Sequence, residues 1–127
     1  MKKIIVPLII FFFSAACGND DSKGDGASNR KDITKDPDYQ KGLDLVTKNL
    51  CFTCHKIDEP LTGPAYREVA NKYADMPDTI VTYLAHKIIS GGTGTWGSIF
   101  MTPHPGVSEE DAKAMVKYIF LLKKDDK

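Results

Sequence analysis

The stretch Cys51-Phe52-Thr53-Cys54-His55 limits what this chain can fold into more than any other feature. Two thiols lie three residues apart, and an imidazole follows the second directly. This is the Cys-x-x-Cys-His pattern of c-type haem attachment. Thiols one short turn apart can each add to a different vinyl group on one edge of a porphyrin. The next residue then projects its imidazole over the macrocycle, where a ring nitrogen ligates iron. The motif admits two other readings. Half of a zinc site would need four ligands, but the only other cysteine, Cys17, lies far upstream. A thioredoxin-like redox pair would need a preceding strand and a βαβ pattern, and neither is visible.

The chain has 127 residues, enough for one small domain, and its 17 basic and 17 acidic side chains cancel. No basic excess points to nucleic acid as a partner, and no acidic excess points to a solvating tail. Domains of this size bury a modest core and often need a staple. A covalently held haem would serve as one, an apolar plate on which short helices pack.

Residues 1–16 read as a signal peptide. Lys2 and Lys3 give the positive start, Ile4 to Phe13 an apolar run broken only by Pro7, and Ser14-Ala15-Ala16 the small residues before Cys17. The run is well short of the ~20 residues of a membrane-spanning helix. Small residues directly before a cysteine resemble a bacterial lipobox, with Ser14 where a bulky aliphatic is usual. Ser-x-Ala also suits an ordinary signal peptidase, and both cleavages leave Cys17 first. Lipidation at Cys17 accounts for the odd thiol. Residues 17–36 then read as a lipid-anchored flexible linker, rich in Gly, Asp, Ser, Asn and Lys, with Ile33 its one large apolar residue.

The remainder, residues 37–127, reads as an all-α domain of about four helices. The first starts at Asp36-Pro37, with Tyr39, Leu43, Val46 and Leu50 at helical spacing. Gly42 inside that pattern suggests close approach of the last helix, with Tyr118 and Ile119 packing against the gap. Pro64 opens a short helix carrying Tyr66, Val69, Ala70 and Tyr73 on one face. Asp78 caps a third, with Ile80, Leu84 and Ile88 inward, and Gly91-Gly92 ends it. A Gly-, Thr- and Pro-rich loop follows, with no strand pattern. Ser108-Glu109-Glu110-Asp111 then starts the last helix, with Ala112, Met115, Val116, Ile119 and Phe120 inward.

His55 accounts for one axial position on iron. For the other the residues offer Met76, Met101, Met115, His86 and His104. Met115 falls on an apolar helix face, His86 off its helix's apolar stripe, and Met76 in a hinge before Pro77. Met101 lies in the long loop stiffened by Pro103 and Pro105, and His104 is its competitor three residues on.

Cys51-x-x-Cys54-His55, Gly63-Pro64-Ala65-Tyr66, Gly94-x-Trp96-Gly97, Met101-x-Pro103 and a terminal helix with Tyr118 together resemble the class I cytochromes c, in particular the small bacterial c551/c552-like members. The resemblance covers roughly residues 37–123. It implies a class I fold wrapped around one haem, bound through Cys51 and Cys54. It also implies Met101 as sixth ligand, the Pro64 carbonyl as hydrogen-bond partner of the His55 ring, and Trp96 as donor to a haem propionate. Two places differ from the family. Lys87 stands where an arginine near the propionates is common, and Met101-Thr102-Pro103-His104 replaces Met-Pro-Pro-Asn.

With His and Met on iron, a substrate has no free axial position. The expected function is single-electron transfer between periplasmic or membrane redox partners, an unidentified reductase and oxidase, with no enzymatic activity. Methionine, a soft ligand, raises the potential relative to a second histidine. The alternatives are a subunit of a larger membrane oxidoreductase, a haem peroxidase or ligand-binding protein if Met101 leaves iron readily, and a zinc-holding interaction module.

Overall fold

An acidic side chain followed by proline starts the first helix. Asp36 Oδ1 accepts the Asp38 N–H at 2.9 Å, and Pro37 occupies a first-turn position that needs no donor. The resulting helix α1 spans Pro37–Lys48. The computed structural model describes residues 32–124. The signal-like segment, most of the linker and Cys17 lie outside the described residues. The remaining helices are α2 (Tyr66–Tyr73), α3 (Thr79–Ser90) and α4 (Glu109–Leu121), with single 3₁₀ turns at Ile33–Lys35 and Cys51–Thr53.

The ends of these helices follow local chemistry, with two departures from expectation. Helix α2 begins at Tyr66, two residues after Pro64, because Glu68 Oε2 reaches back 3.0 Å to accept the Ala65 N–H. Asp78 precedes α3, but its carboxylate makes no capping bond. Its backbone is already helical (φ −54°, ψ −22°), so the Ile80 and Val81 N–H groups bond the Pro77 and Asp78 carbonyls at 2.9 and 3.0 Å instead. Ser108 caps α4 as expected, its Oγ accepting the Asp111 N–H at 3.1 Å.

The core lies where α4 meets the other helices, around Val46, Tyr66, Ala70, Ala85, Met115 and Tyr118. Helix α1 crosses α4 at Gly42, where a Cβ would stand 2.2 Å from Tyr118 Cβ and 2.7 Å from the Ala114 carbonyl oxygen. Only glycine permits that approach. Leu50, expected on the inner stripe of α1, lies beyond the helix at φ 56° and is 69% exposed. Asn49 has already capped α1, its N–H bonding Leu45 O, so helical period no longer aims Leu50. Ile33, which composition assigns to the linker, packs on the core.

The glycine-rich stretch after α3 is more ordered than its composition suggests. Strands β1 (Gly92–Gly94) and β2 (Gly97–Met101) form an antiparallel hairpin, with Gly92 opposite Met101 and Gly94 opposite Gly97. Strands this short and without alternation leave little trace in a sequence. Gly92 and Gly97 take positive φ, at 102° and 100°, which lets the chain reverse around Thr95-Trp96. The architecture remains all-α, with this hairpin added between α3 and α4.

Candidate functional site

The Cys-x-x-Cys-His segment follows α1 as a 3₁₀ turn, in which the Cys54 and His55 N–H groups both bond the Cys51 carbonyl, at 3.1 and 3.0 Å. The loop after it is tied back to the motif. The Gly63 N–H bonds Cys54 O at 2.8 Å, and the first-turn N–H groups of α2, Tyr66 and Arg67, bond Lys56 O and Ile57 O at 2.9 Å. These bonds bring the Pro64 carbonyl beside His55, whose Nδ1 lies 2.8 Å from Pro64 O. Nδ1–H donates to that oxygen, which leaves Nε2 with a free lone pair for a metal. Gly63 packs against the ring itself, since a Cβ there would sit 2.3 Å from His55 Cε1.

Cys51, Cys54 and His55 open onto an apolar cavity of about 830 Å³, the size of a cofactor site. Leu84 and Ile88 of α3, Met115 and Ile119 of α4, and the hairpin line its other walls. Leu50, Leu61, Tyr83, Trp96, Ile99 and Phe100 are each more than 40% exposed, and all six line this cavity. Soluble domains seldom present so much clustered apolar surface without a ligand or partner. The residues fit haem: an apolar plate would cover these side chains, two thiols free of any disulfide stand at its edge, and a ring nitrogen faces it. Burial pushes the Cys51 thiol up from its ordinary range, and Tyr66, buried beside it, is pushed up as well. Lys87 Nζ stands at the cavity, donating to the Thr93 carbonyl at 2.8 Å, where a carboxylate could recruit it. Among the described residues no cluster of three or more His, Cys, Asp or Glu side chains has metal-holding geometry.

The five candidates for the second axial position separate. Met76 is 45% exposed and off the cavity, and His86 is exposed on α3, also off the cavity. Met115 reaches the cavity but is 1% exposed and packed into the core. Met101 and His104 both line the cavity. Their backbones are held against the end of α3. The His104 N–H bonds Ile88 O and Ile89 O at 3.1 Å, and a Cβ on Gly91 would meet the Met101 carbonyl at 2.3 Å. Gly91 has φ 65° and ψ −147°, a conformation open essentially to glycine alone. Trp96, at the hairpin turn, lines the cavity and meets the Tyr73 ring edge-on at 6.4 Å between centroids.

Sequence reasoning underused Gly63, Gly91, Ile99, Phe100 and Tyr66. The two glycines read as helix and loop breakers, and neighbours across a close approach leave no local signal. Ile99 and Phe100 did leave one, an apolar run ending at Met101 in an otherwise polar loop. Tyr66 read as part of an apolar helix face and of the pattern Gly63-Pro64-Ala65-Tyr66, with no role at His55, yet its ring stacks on His55 at 5.1 Å and 15°.

Comparison with known proteins agrees with this geometry. The family model for cytochrome c matches residues 39–123. Cytochrome c-552 of Nitrosomonas europaea is 46% identical over 84 residues, which covers 66% of this chain and 81% of that protein. Cytochrome c-551 of Azotobacter vinelandii is 42% identical over 84 residues, covering 66% of this chain and all of that one. The crystal structure of the Nitrosomonas europaea cytochrome c552 superposes with a TM-score of 0.60 at 47% identity, over 64% of this chain and 99% of its own. A helical domain whose thiols, imidazole and apolar cavity fit one haem, matched by these relatives along the same residues, belongs to the cytochrome c family as a small class I member.

Proposed function

We propose that His55 and Met101 are the axial iron ligands of an exported electron carrier, with Pro64 orienting His55 and Trp96 binding a haem propionate. The carrier class itself follows from the family: a monohaem c-type cytochrome that transfers electrons and is not an enzyme, its one haem c covalently held through Cys51 and Cys54. The observation that carries the ligand assignment is that one apolar cavity gathers Cys51, Cys54, His55 and Met101; His104 lines it too, and the family pattern Met101-x-Pro103 favours Met101 between them.

The bound haem supplies the one-electron couple. The chain's own residues do the rest. Pro64 O accepts from His55 Nδ1–H and makes the imidazole a better donor at Nε2. Apolar walls from α3, α4 and the hairpin exclude water, which strengthens every charge interaction inside. Gly91 and the His104 N–H hold the Met101 segment on the end of α3, so that the thioether is presented by a fixed backbone. His104 thereby has a positioning role through its backbone, separate from its ring.

The test compares two variants of the holoprotein. A thioether on ferric iron gives a weak near-infrared sulfur-to-iron charge-transfer band. Met101→Ala is expected to abolish that band, open iron to small ligands and lower the potential, because a soft ligand favouring ferrous iron is gone. His104→Ala is expected to keep the band. A native protein without the band, and iron opened by His104→Ala instead, would make this a bis-histidine carrier.

The signal-like segment supports an extracytoplasmic location, on the periplasmic side of a bacterial membrane. The Ser14-Ala15-Ala16-Cys17 sequence supports a lipid anchor on Cys17, and the linker that follows would tether the domain to it. Among the described residues no helix is long and apolar enough to cross a membrane, so such an anchor would be what holds the domain there. Cys17→Ser should release it into the soluble fraction, and an intact mass without acyl chains on the parent protein would overturn the anchor. Partners are a reductase and an oxidase that dock weakly over small interfaces.

A further inference from the structure

The His55 imidazole is held on more sides than its carbonyl partner requires. The bond from Nδ1 to Pro64 O sets the tautomer but leaves the ring a pivot about its own axis. Tyr66 lies flat against that ring, with centroids 5.1 Å apart and planes 15° from parallel. The Gly63 backbone closes in on Cε1. Tyr66 is itself wedged. It is 4% exposed, with Phe52 at 5.8 Å and the Tyr118 ring edge-on at 6.4 Å between centroids. One locked side chain therefore braces the imidazole.

We infer that Tyr66 is a positioning residue for the iron site: its ring sets the rotation of the His55 imidazole. The inference rests on His55 as an iron ligand and adds what fixes that ligand's plane. The plane matters because an imidazole donates π density to iron along one direction only. Its rotation therefore contributes, together with the direction of the thioether lone pair, to the magnetic axes of ferric haem and to the potential. Packing alone would not demand a parallel ring, since aromatic neighbours in a core also settle edge-on, as Tyr66 and Tyr118 do.

The experiment uses holoprotein with Tyr66→Phe and Tyr66→Leu. Proton NMR of the ferric state reads the hyperfine-shifted haem methyls, whose order and spread report the orientation of axial ligands, and voltammetry reads the potential. Tyr66→Phe keeps the stack and should keep the methyl order, with a small potential change from the lost hydroxyl. Tyr66→Leu should change the methyl order or spread and move the potential further, while the near-infrared sulfur band stays. An unchanged methyl pattern and potential in folded Tyr66→Leu overturns the inference. Should that variant yield no holoprotein, Tyr66→Met, of similar bulk without a ring, is read by the same criteria. Independently of any variant, the native ferrous protein should show nuclear Overhauser contacts between the Tyr66 and His55 ring protons, and their absence also overturns it. Failure of the ligand assignment looks different: His55 ring protons of the native ferric protein would then carry no hyperfine shift.

Discussion

At the α1–α4 crossing, Gly42 admits Tyr118 until backbone nearly meets side chain, and Val46, Met115 and Tyr118 are each no more than 1% exposed. Along the hairpin, Ile99 and Phe100 are as apolar as those residues yet 60% and 63% exposed. The crossing is completed by protein alone. The hairpin and the neighbouring loop present an apolar wall that protein contacts do not cover. This difference teaches where the cofactor enters the energetics. One half of the domain forms its own core, and the other is half of a core whose second half is haem. Exposed ion pairs across the crossing, Lys41–Glu110 at 3.3 Å and Lys117–Asp38 at 3.6 Å, add little to this, since such pairs contribute ~0–1 kcal/mol.

The largest effect should come from removing the shared plate. Cys51→Ala/Cys54→Ala is expected to abolish covalent haem. Each large apolar side chain that haem no longer covers should forfeit about 1.5–3 kcal/mol of burial. Hydrogen exchange should then show the hairpin amides unprotected while α1 and α4 keep the slowest amides. Equal loss in both regions would break the comparison.

Smaller effects should separate two close approaches by glycine. Gly42→Val is expected to overpack the crossing and cost about 1–3 kcal/mol of global stability, read as a lower denaturation midpoint with the near-infrared band intact. Gly91→Ala strains a glycine-only conformation at about 1–3 kcal/mol and pushes on the Met101 carbonyl, so the band itself should weaken. An unmoved midpoint for Gly42→Val, or an unmoved band for Gly91→Ala, would erase the distinction.

The smallest effect sharpens the description of the crossing. The Tyr118 hydroxyl is buried and finds no hydrogen-bond partner among the described residues. Tyr118→Phe removes that orphan and should stabilise the protein by about 1 kcal/mol near neutrality. Burial, with Tyr39 adding to it, pushes the Tyr118 phenol up to about 12, against about 10 in an unfolded chain. A raised folded value means its contribution is fully present below pH 10 and lost as pH rises through 12. The native protein should therefore lose stability across that alkaline window, and Tyr118→Phe should flatten the slope measured by urea denaturation at each pH.

Much of this was legible from residues that act on their neighbours. Asp36-Pro37 and Ser108 start helices by bonds within one turn, and the structure shows both. The expected contact between Gly42 and Tyr118 is present, because a glycine in an amphipathic helix signals a close approach even when its partner is remote. Ile119, expected beside Tyr118 at that gap, lines the cavity instead. The hairpin was not legible, since three- and five-residue strands carry too few residues for a period to appear. Asp78 shows the reverse error, a residue suited to capping whose own backbone entered the helix.

The chemistry follows from local order along the chain. Covalent spacing on a single chain fixes two thiols and an imidazole at one short turn, whatever the rest of the fold does. That local order also determined the helices, because capping and the 3.6-residue period act over a few bonds. Tertiary structure alone decided which surfaces meet: that Gly63 and Tyr66 enclose the His55 ring, that Gly91 and the end of α3 seat the Met101 segment, and that Leu50 and Phe100 join one cavity wall. Those contacts join residues brought together by chain reversals, and their energies depend on distances that a linear order of residues does not encode.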